Sequence, residues 1–497
     1  MAARPTVWVL GDQLDRHGGA LRGKTPGDCR VLVIKSDAKH DQRRWHVQHI
    51  HLVLSAMAHF VAELREEGFD VDHRRAPSLA AGLRAHCEEF EPSRVEAMAP
   101  MSWDGAALLE RENVDVVPND QFVCSPDEFA GWADGRTSLR MEDFYRWQRT
   151  RLDILMDGDA PVGGRWNYDD ENREPPPRDG RSWPGVTRFE LDRIDRSVLT
   201  GVLDAWGEPP DGTWPVTRAQ AIARLDEFIE HGLAAFGTHE DAMLGAEWKL
   251  AHSTLSPAMN LGLLHPREVV DAALAAHESG RAPINSVEGF VRQVIGWREY
   301  VWGVYWHWMP DYRSRNELGA HRPIPPAFTG DAPTDMNCLS GVLQHVHDHG
   351  YAHHIERLMV LGNLALTAGV DPWAMTNWMW AGFVDGAEWV MLPNVTGMAL
   401  HADGGMMATK PYASGGAYIN RMSDYCKECR FDPKKRTGDD ACPYTTLYWD
   451  FLARNEARFQ SNHRMSRPLA GMRRLSDLPA VRERAADVLV ALDAGRL

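Results

Sequence analysis

Thr6-Val7-Trp8-Val9-Leu10-Gly11-Asp12-Gln13-Leu14 is a β-branched, apolar run that halts on a glycine and two polar residues. It reads as a first strand and a turn, because such side chains suit a pleated, buried ladder. Four more short β-rich runs follow, at residues 30–34, 71–73, 95–98 and 114–117. Helical patterning separates them. The clearest stretch, residues 46–67, sets Ile50, Leu54, Met57, Val61 and Leu64 on one side. Strand and helix alternating at this spacing predict an α/β unit with a doubly wound parallel sheet. Ligands on such sheets sit beyond the carboxyl ends of the strands, where the Gly11-Asp12-Gln13-Leu14 turn falls. The turn carries neither G-x-G-x-x-G nor G-K-[ST], so ordinary dinucleotide and nucleoside-triphosphate loops are not expected.

Beyond residue 126 the pattern weakens. Glycine and proline accumulate around residues 163–177, and residues 127–215 read as a long connector with one helical segment near 138–156. From residue 216 to 497 the signal is helical almost throughout, and most of the nineteen tryptophans lie there. The expected architecture is therefore an α/β domain over residues 1–126, the connector, and a large all-α domain.

Composition narrows the function. A chain of 497 residues is long enough for two or three domains with a substantial core. It has no run of about 18 apolar residues, and its start reads as a strand and not as a signal peptide, so a soluble, cytoplasmic protein is expected. The formal charge of −16 argues against general affinity for polyanions. Residues 405–474 run the other way, with thirteen Lys/Arg against seven Asp/Glu, a local basic surface on an acidic body. Solvated charge and nucleic-acid contact both account for that bias.

Of seven cysteines, Cys29, Cys87 and Cys124 are scattered and read as small hydrophobes. Cys426, Cys429 and Cys442 form Cys-x2-Cys-x12-Cys-Pro, with Cys338 some ninety residues earlier. Four cysteines so spaced fit an iron–sulfur cluster best, with structural zinc and no metal as the alternatives. Two further blocks carry chemistry. His252-Ser253-Thr254-Leu255-Ser256-Pro257 places hydroxyls at a helix start, which makes either an anion cup or plain capping. Gly289-Phe290-Val291-Arg292-Gln293-Val294-Ile295-Gly296-Trp297-Arg298-Glu299-Tyr300 is a helix that mixes apolar residues with charge. Last, Tyr351-Ala352-His353-His354-Ile355-Glu356-Arg357-Leu358-Met359 precedes Asp385 by a short interval. The plain reading of that pair of segments is two surface histidines and a buried Arg–Asp pair. The other is a cofactor site with proton-transfer groups.

Taken together these blocks resemble the cryptochrome/photolyase superfamily over nearly the whole chain. The Leu-Ser-Pro and Leu-Gly-Leu-Leu-His-Pro segments are similar to its flavin diphosphate loop, and Trp297-Arg298-Glu299-Tyr300 to its Trp-Arg-Glu-Phe/Tyr helix. The four cysteines and the Gly-Asp-Gln-Leu opening narrow the resemblance to the iron–sulfur bacterial branch, the prokaryotic (6-4) photolyases and cryptochrome-B-like proteins.

The resemblance implies FAD folded in the all-α domain, with phosphates near Ser253, Thr254, Leu255 and Ser256. Glu288 and Arg292 would line the same cavity, and Arg357 and Asp385 would flank the ring. Trp373, Trp378 and Trp380 become relay rings, with Met379 standing where relatives carry tyrosine. It implies a [4Fe–4S] cluster on Cys338, Cys426, Cys429 and Cys442. It further implies a 6,7-dimethyl-8-ribityllumazine antenna near Asp12 in the N-terminal domain. His353 and His354 become catalytic, with His354 the proton donor, since histidine titrates near working pH. Leu358 stands where eukaryotic (6-4) enzymes carry a further histidine. UV-damaged DNA is the implied partner of a monomeric protein, contacted by Asn172, Arg173, Leu358, Met398, Tyr412 and the basic stretch. Met391 occupies the position facing flavin N5, where this branch carries Glu, and cannot hydrogen-bond there usefully. The implied activity is light-driven repair of (6-4) photoproducts; the rivals are a blue-light sensor with the same cofactors and a zinc-stapled nucleic-acid module.

Overall fold

A computed structural model describes residues 4–202 and 205–497; residues 203 and 204 of the expected connector lie outside the described residues. Five strands form one parallel sheet: β1 Thr6–Val9, β2 Arg30–Ser36, β3 Asp70–Ala76, β4 Val95–Met98 and β5 Asp115–Val117. Their order is β3-β2-β1-β4-β5. The chain steps outward from β1 to β3, then returns to the far side of β1, so the switch point lies between β1 and β4. Crossovers include α1 Val47–Glu66, α2 Leu79–Phe90 and α3 Trp103–Arg111.

The central strands are buried on both faces. Val7, Val9, Val31 and Val33 pack into one apolar cluster, while Trp8, Leu32 and Ile34 pack into another on the opposite face. That split is the period-2 alternation of a strand. The third strand is longer than its apolar residues predict, because β2 offers it seven paired positions. Its charged residues are tolerated at the sheet edge, where Asp70 accepts from Arg30 at 2.9 Å and Asp72 from Arg74 at 2.7 Å.

The connector region holds helix α4, Met141–Leu152, and a two-strand hairpin, Met156–Asp157 with Ala160–Pro161, and also helices over Pro126–Ala133 and Arg193–Leu199 where one helical segment was expected. Helices then dominate, among them α5 Asn337–His349, α6 Pro372–Gly382 and α7 Pro443–Arg454. Among the described residues four π-helical turns interrupt them, at Phe228–Gly232, Arg292–Arg298, Arg357–Gly362 and Pro393–Ala399. Such turns concentrate at functional sites because the extra residue re-aims a side chain. No described helix is long and apolar enough to cross a membrane.

Polar contacts tie the start of α1 to the helical half. The His46 backbone N–H donates to Ala381 at 3.0 Å, and Gln48 Nε2 donates to the Asp348 carbonyl at 2.5 Å. The sheet's carboxyl edge is thereby set against the turn after α6.

Candidate active site

Arg357 opens a π-helical turn and reaches Asp385, which follows α6 in a tight bend. Its Nη1 and Nη2 donate to Asp385 Oδ1 and Oδ2 at 2.9 and 3.1 Å, a two-pronged pair. Arg357 Nε donates to the Ala352 carbonyl at 2.6 Å, so the guanidinium is held on three sides. Ser256 Oγ donates to Asp385 Oδ2 at 2.7 Å, and Asn260 Nδ2 to the Asp385 carbonyl at 3.0 Å. The bend itself needs glycine: a Cβ on Gly386 would lie 2.2 Å from the Trp380 carbonyl. The segment beginning at His252 and the one ending at Asp385, far apart in sequence, thus share one junction.

The adjacent histidines part company. His353 precedes the helix with extended backbone and His354 begins it, so their side chains leave in different directions. His353 is fully buried and stacks on His252 with ring centroids 4.6 Å apart and planes 13° from parallel. His354 is 47% exposed and its Nε2 lies 3.5 Å from Asp241 Oδ1. Burial pushes both His252 and His353 well below the ordinary histidine range, so both rings are neutral. Imidazole lone pairs lie in the ring plane, so the stacked rings of His252 and His353 send theirs side by side and do not converge on a metal.

Behind the loop, Arg292 is buried among Asp169, Glu240 and Glu288. Burial raises Glu240 to about 7. Thr254 adopts the left-handed region at φ 56°, which turns the chain sharply into the short helix Ser256–Asn260. Several buried polar atoms here make no hydrogen bond within the protein, namely His252 Nε2, both nitrogens of His353, Arg292 Nε and Nη2, and one oxygen each of Glu240 and Glu288. Buried orphans are rare and require a ligand or water. A large group rich in donors and acceptors fits that inventory.

The three tryptophans of α6 have different neighbours. Trp378 donates to the Phe328 carbonyl at 2.9 Å and stands edge-on to Phe383, whose ring also carries Arg357 at 4.0 Å. Trp380 takes Arg43 over its face at 3.6 Å, and the half-exposed Trp373 lies 5.6 Å from Arg313. Met379, Met391 and Phe383 belong to one buried apolar cluster.

Cys338, Cys426, Cys429 and Cys442 line one small cavity with Met336, Ile419, Phe431 and Tyr444, and none forms a disulfide. Burial and mutual repulsion raise Cys426 to about 12 as a thiol. Four thiols closing on one apolar space fit a thiolate-bound metal or cluster, which would offset that repulsion. A Cβ on Gly416 would sit 2.8 Å from Cys442 Sγ, so the fold keeps this space clear.

A separate cavity of about 280 Å³ lies over the switch point, lined by Leu10, Gly11, Asp12, Ser36, His49 and Trp380 among others. Burial raises the Asp12 carboxyl, although Lys39 opposes the shift. The turn that carries Asp385 closes the far wall of this cavity.

A basic cluster lies around Lys410 and Tyr412. Lys410 lies near Arg464 and Arg173, and Tyr412 near both arginines and Asp241. Arg173 is exposed and pairs with Asp169 at 2.5 Å. Leu358, Met398 and Tyr412 are partly buried. Asn172 is corrected as a DNA contact: it is fully buried, and its amide exchanges two hydrogen bonds with Asn285 at 3.0 Å. Sequence reasoning missed His252, Glu240, Asp241, Asn260 and Glu356 as members of the site. His252 had a signal, as the first residue of the hydroxyl block; Glu356 had only its place three residues after His353.

Comparison with known proteins follows this geometry. Residues 7–210 match the family model described as deoxyribodipyrimidine photo-lyase-related protein. The chain is 43% identical over 487 residues to the (6-4) photolyase of Agrobacterium fabrum, covering 95% of this chain and 96% of the relative. In fold it is similar to a bacterial class III photolyase from Agrobacterium tumefaciens, with TM-score 0.59 and 16% identity over 99% and 98% of the two chains. A Synechocystis cryptochrome matches with TM-score 0.55 and 13% identity over 85% and 89%.

Proposed function

The chain belongs to the cryptochrome/photolyase superfamily, in its bacterial (6-4) photolyase branch, and from that premise we propose how it works. It is a DNA photolyase that repairs (6-4) pyrimidine–pyrimidone lesions by light. One structural observation carries the reading furthest: the half-exposed His354 stands at the mouth of a buried polar site, beside Asp241.

A flavin is the chromophore of this family, and here FAD is supported by the unpartnered atoms of Arg292, His252 and His353. When bound and reduced, it supplies one electron to the lesion under light. The residues do the rest. Arg357, braced by Asp385 and Ser256, sets fixed positive charge beside the ring, where a preorganised charge in a dry site is strong. Ser253, Thr254 and Leu255 present backbone and hydroxyl donors, and Glu288 and Arg292 close the cavity. His354 holds the proton that returns the transferred hydroxyl or amino group, and His353 packs behind it. A stacked base cannot reach such a site, so the lesion must flip out, with Arg173, Leu358, Met398 and Tyr412 receiving it and its flanks.

Residues 216–497 would form the catalytic domain, residues 127–215 the connector, and residues 1–126 the antenna domain, with ribityllumazine in the cavity beside Asp12. A [4Fe–4S] cluster on the four cysteines would staple the segment after Cys426 to α5. Trp373, Trp378 and Trp380 would carry electrons to the flavin. Met391 would face flavin N5, so Met391→Glu should alter photoreduction kinetics, and identical kinetics would remove that assignment. The protein would act as a monomer.

The test uses reduced, illuminated protein on oligonucleotides carrying either lesion. Restoration of the (6-4) lesion is expected. Restoration of cyclobutane dimers alone, or of neither, would overturn the proposal.

A further inference from the structure

Glu356 is a buried carboxylic acid with no role in the proposed repair. It is fully buried, one helical turn beyond His353, and its carboxylate is fixed from two other segments. Tyr425 OH donates to Oε1 at 2.8 Å, and His345 Nδ1 stands 3.3 Å from the same oxygen. The Tyr425 ring is itself held in place: a Cβ on Gly341 would strike it at 2.7 Å.

His345 faces acceptors on both sides. Its Nδ1 meets Glu356, and its Nε2 meets the Gly245 carbonyl at 3.2 Å. Both nitrogens must carry hydrogen to satisfy those partners, which makes His345 an imidazolium. Burial works against that charge, but the Glu356 carboxylate more than offsets it, and the His345 pKa is raised. Glu356 is thus one half of a buried ion pair with oxygens to spare.

The spare contact is His353, whose Nε2 lies 3.6 Å from Glu356 Oε1. If that nitrogen bore a lone pair, it would face an anionic oxygen in a dry interior, where repulsion is poorly screened. With a hydrogen it is attracted instead. We infer that the Glu356–His345 pair is a positioning device that locks His353 as the Nε2–H tautomer and leaves its partnerless Nδ1 as an acceptor inside the buried site behind His354. His353 and His354 then divide the work, His353 offering a buried acceptor and His354 donating a proton at the mouth of the site. A carboxylate that selects the tautomer of a catalytic imidazole is the same logic as in hydrolase triads. The inference rests on the reading that both histidines belong to the repair site.

The experiment is long-range 1H–15N NMR of the flavin-loaded protein labelled with 15N-histidine, with His353 assigned from its loss in His353→Gln. The expected spectrum shows His353 protonated at Nε2 only and His345 protonated at both nitrogens. Glu356→Gln should remove one proton from His345 and give mixed tautomers at His353. Its kcat for repair should fall by about 10- to 100-fold, with KM for lesion DNA unchanged. A wild-type His353 carrying its hydrogen on Nδ1 would overturn the inference, as would a Glu356→Gln protein with unaltered tautomers and kcat. The wild-type spectrum decides the tautomer even if Glu356→Gln fails to fold. It is also independent of repair, so inactivity of the wild-type protein would refute the functional reading separately.

Discussion

His353 and His354 are consecutive residues whose rings lie 6.4 Å apart at 63° and meet opposite surroundings, one sealed in the core and the other half exposed beside Asp241. Only the second can exchange protons with solvent between turnovers. His354→Ala should therefore lower repair of the (6-4) lesion by at least about 100-fold while flavin content and far-UV spectrum stay unchanged. Light-driven repair at the wild-type rate would remove His354 as donor.

The Arg357–Asp385 pair is largely buried, so cutting it leaves one charge stranded. Arg357→Ala should cost about 3–5 kcal/mol of stability in denaturant unfolding and reduce flavin bound per chain. Arg357→Lys keeps the charge but loses the fork, and should retain less flavin than wild type. Equal flavin occupancy in both variants would show that the pair is only structural.

Cys442→Ser should abolish metal binding at the four-cysteine site, read as iron and sulfide per chain and as loss of broad visible absorption. Because that site joins α7 and the segment after Cys426 to α5, proteolysis should then begin in the C-terminal quarter. Zinc in place of iron in the wild-type protein would refute the cluster.

Acid should withdraw the stability contributed by four buried neutral histidines. His46, His49, His349 and His401 are each pushed by burial from 6.5 down to about 4. In that window the unfolded chain binds protons that the folded one refuses, so stability rises with pH. The contribution is whole above about 6.5 and is lost as pH falls toward 4. Thermal melts should show that loss, and His401→Phe should reduce it while leaving the melting temperature at pH 7 nearly unchanged.

DNA affinity should fall with salt if the basic cluster of Lys410, Arg464 and Arg173 meets phosphates. Lys410→Ala should weaken binding evenly across sequences and reduce the slope of log K against log salt by about 1. An unchanged slope would place the DNA elsewhere.

The sheet was legible because its signal is local. Val7, Val9, Val31 and Val33 alternate with residues buried on the other face, and period-2 patterning needs no knowledge of the rest of the chain. The extra length of β3 was not legible, because its ladder is set by β2 and not by the propensities of Asp72, Arg74 and Arg75. Asn172 was read as surface for the same reason: a polar residue in a proline-rich connector gives no sign that Asn285 waits for it inside the core.

From its sequence alone this protein declares a parallel α/β unit, a helical remainder, four cysteines able to share one metal site, and an Arg–Asp pair at a characteristic spacing. Those are properties of composition, period and interval, which are written along the chain. Only the tertiary structure decided that His353 is sealed while His354 reaches Asp241, and that Glu356 gathers Tyr425 and His345 behind them. Burial and charge environment depend on which segments meet in space, and nothing in a residue's immediate neighbours records that.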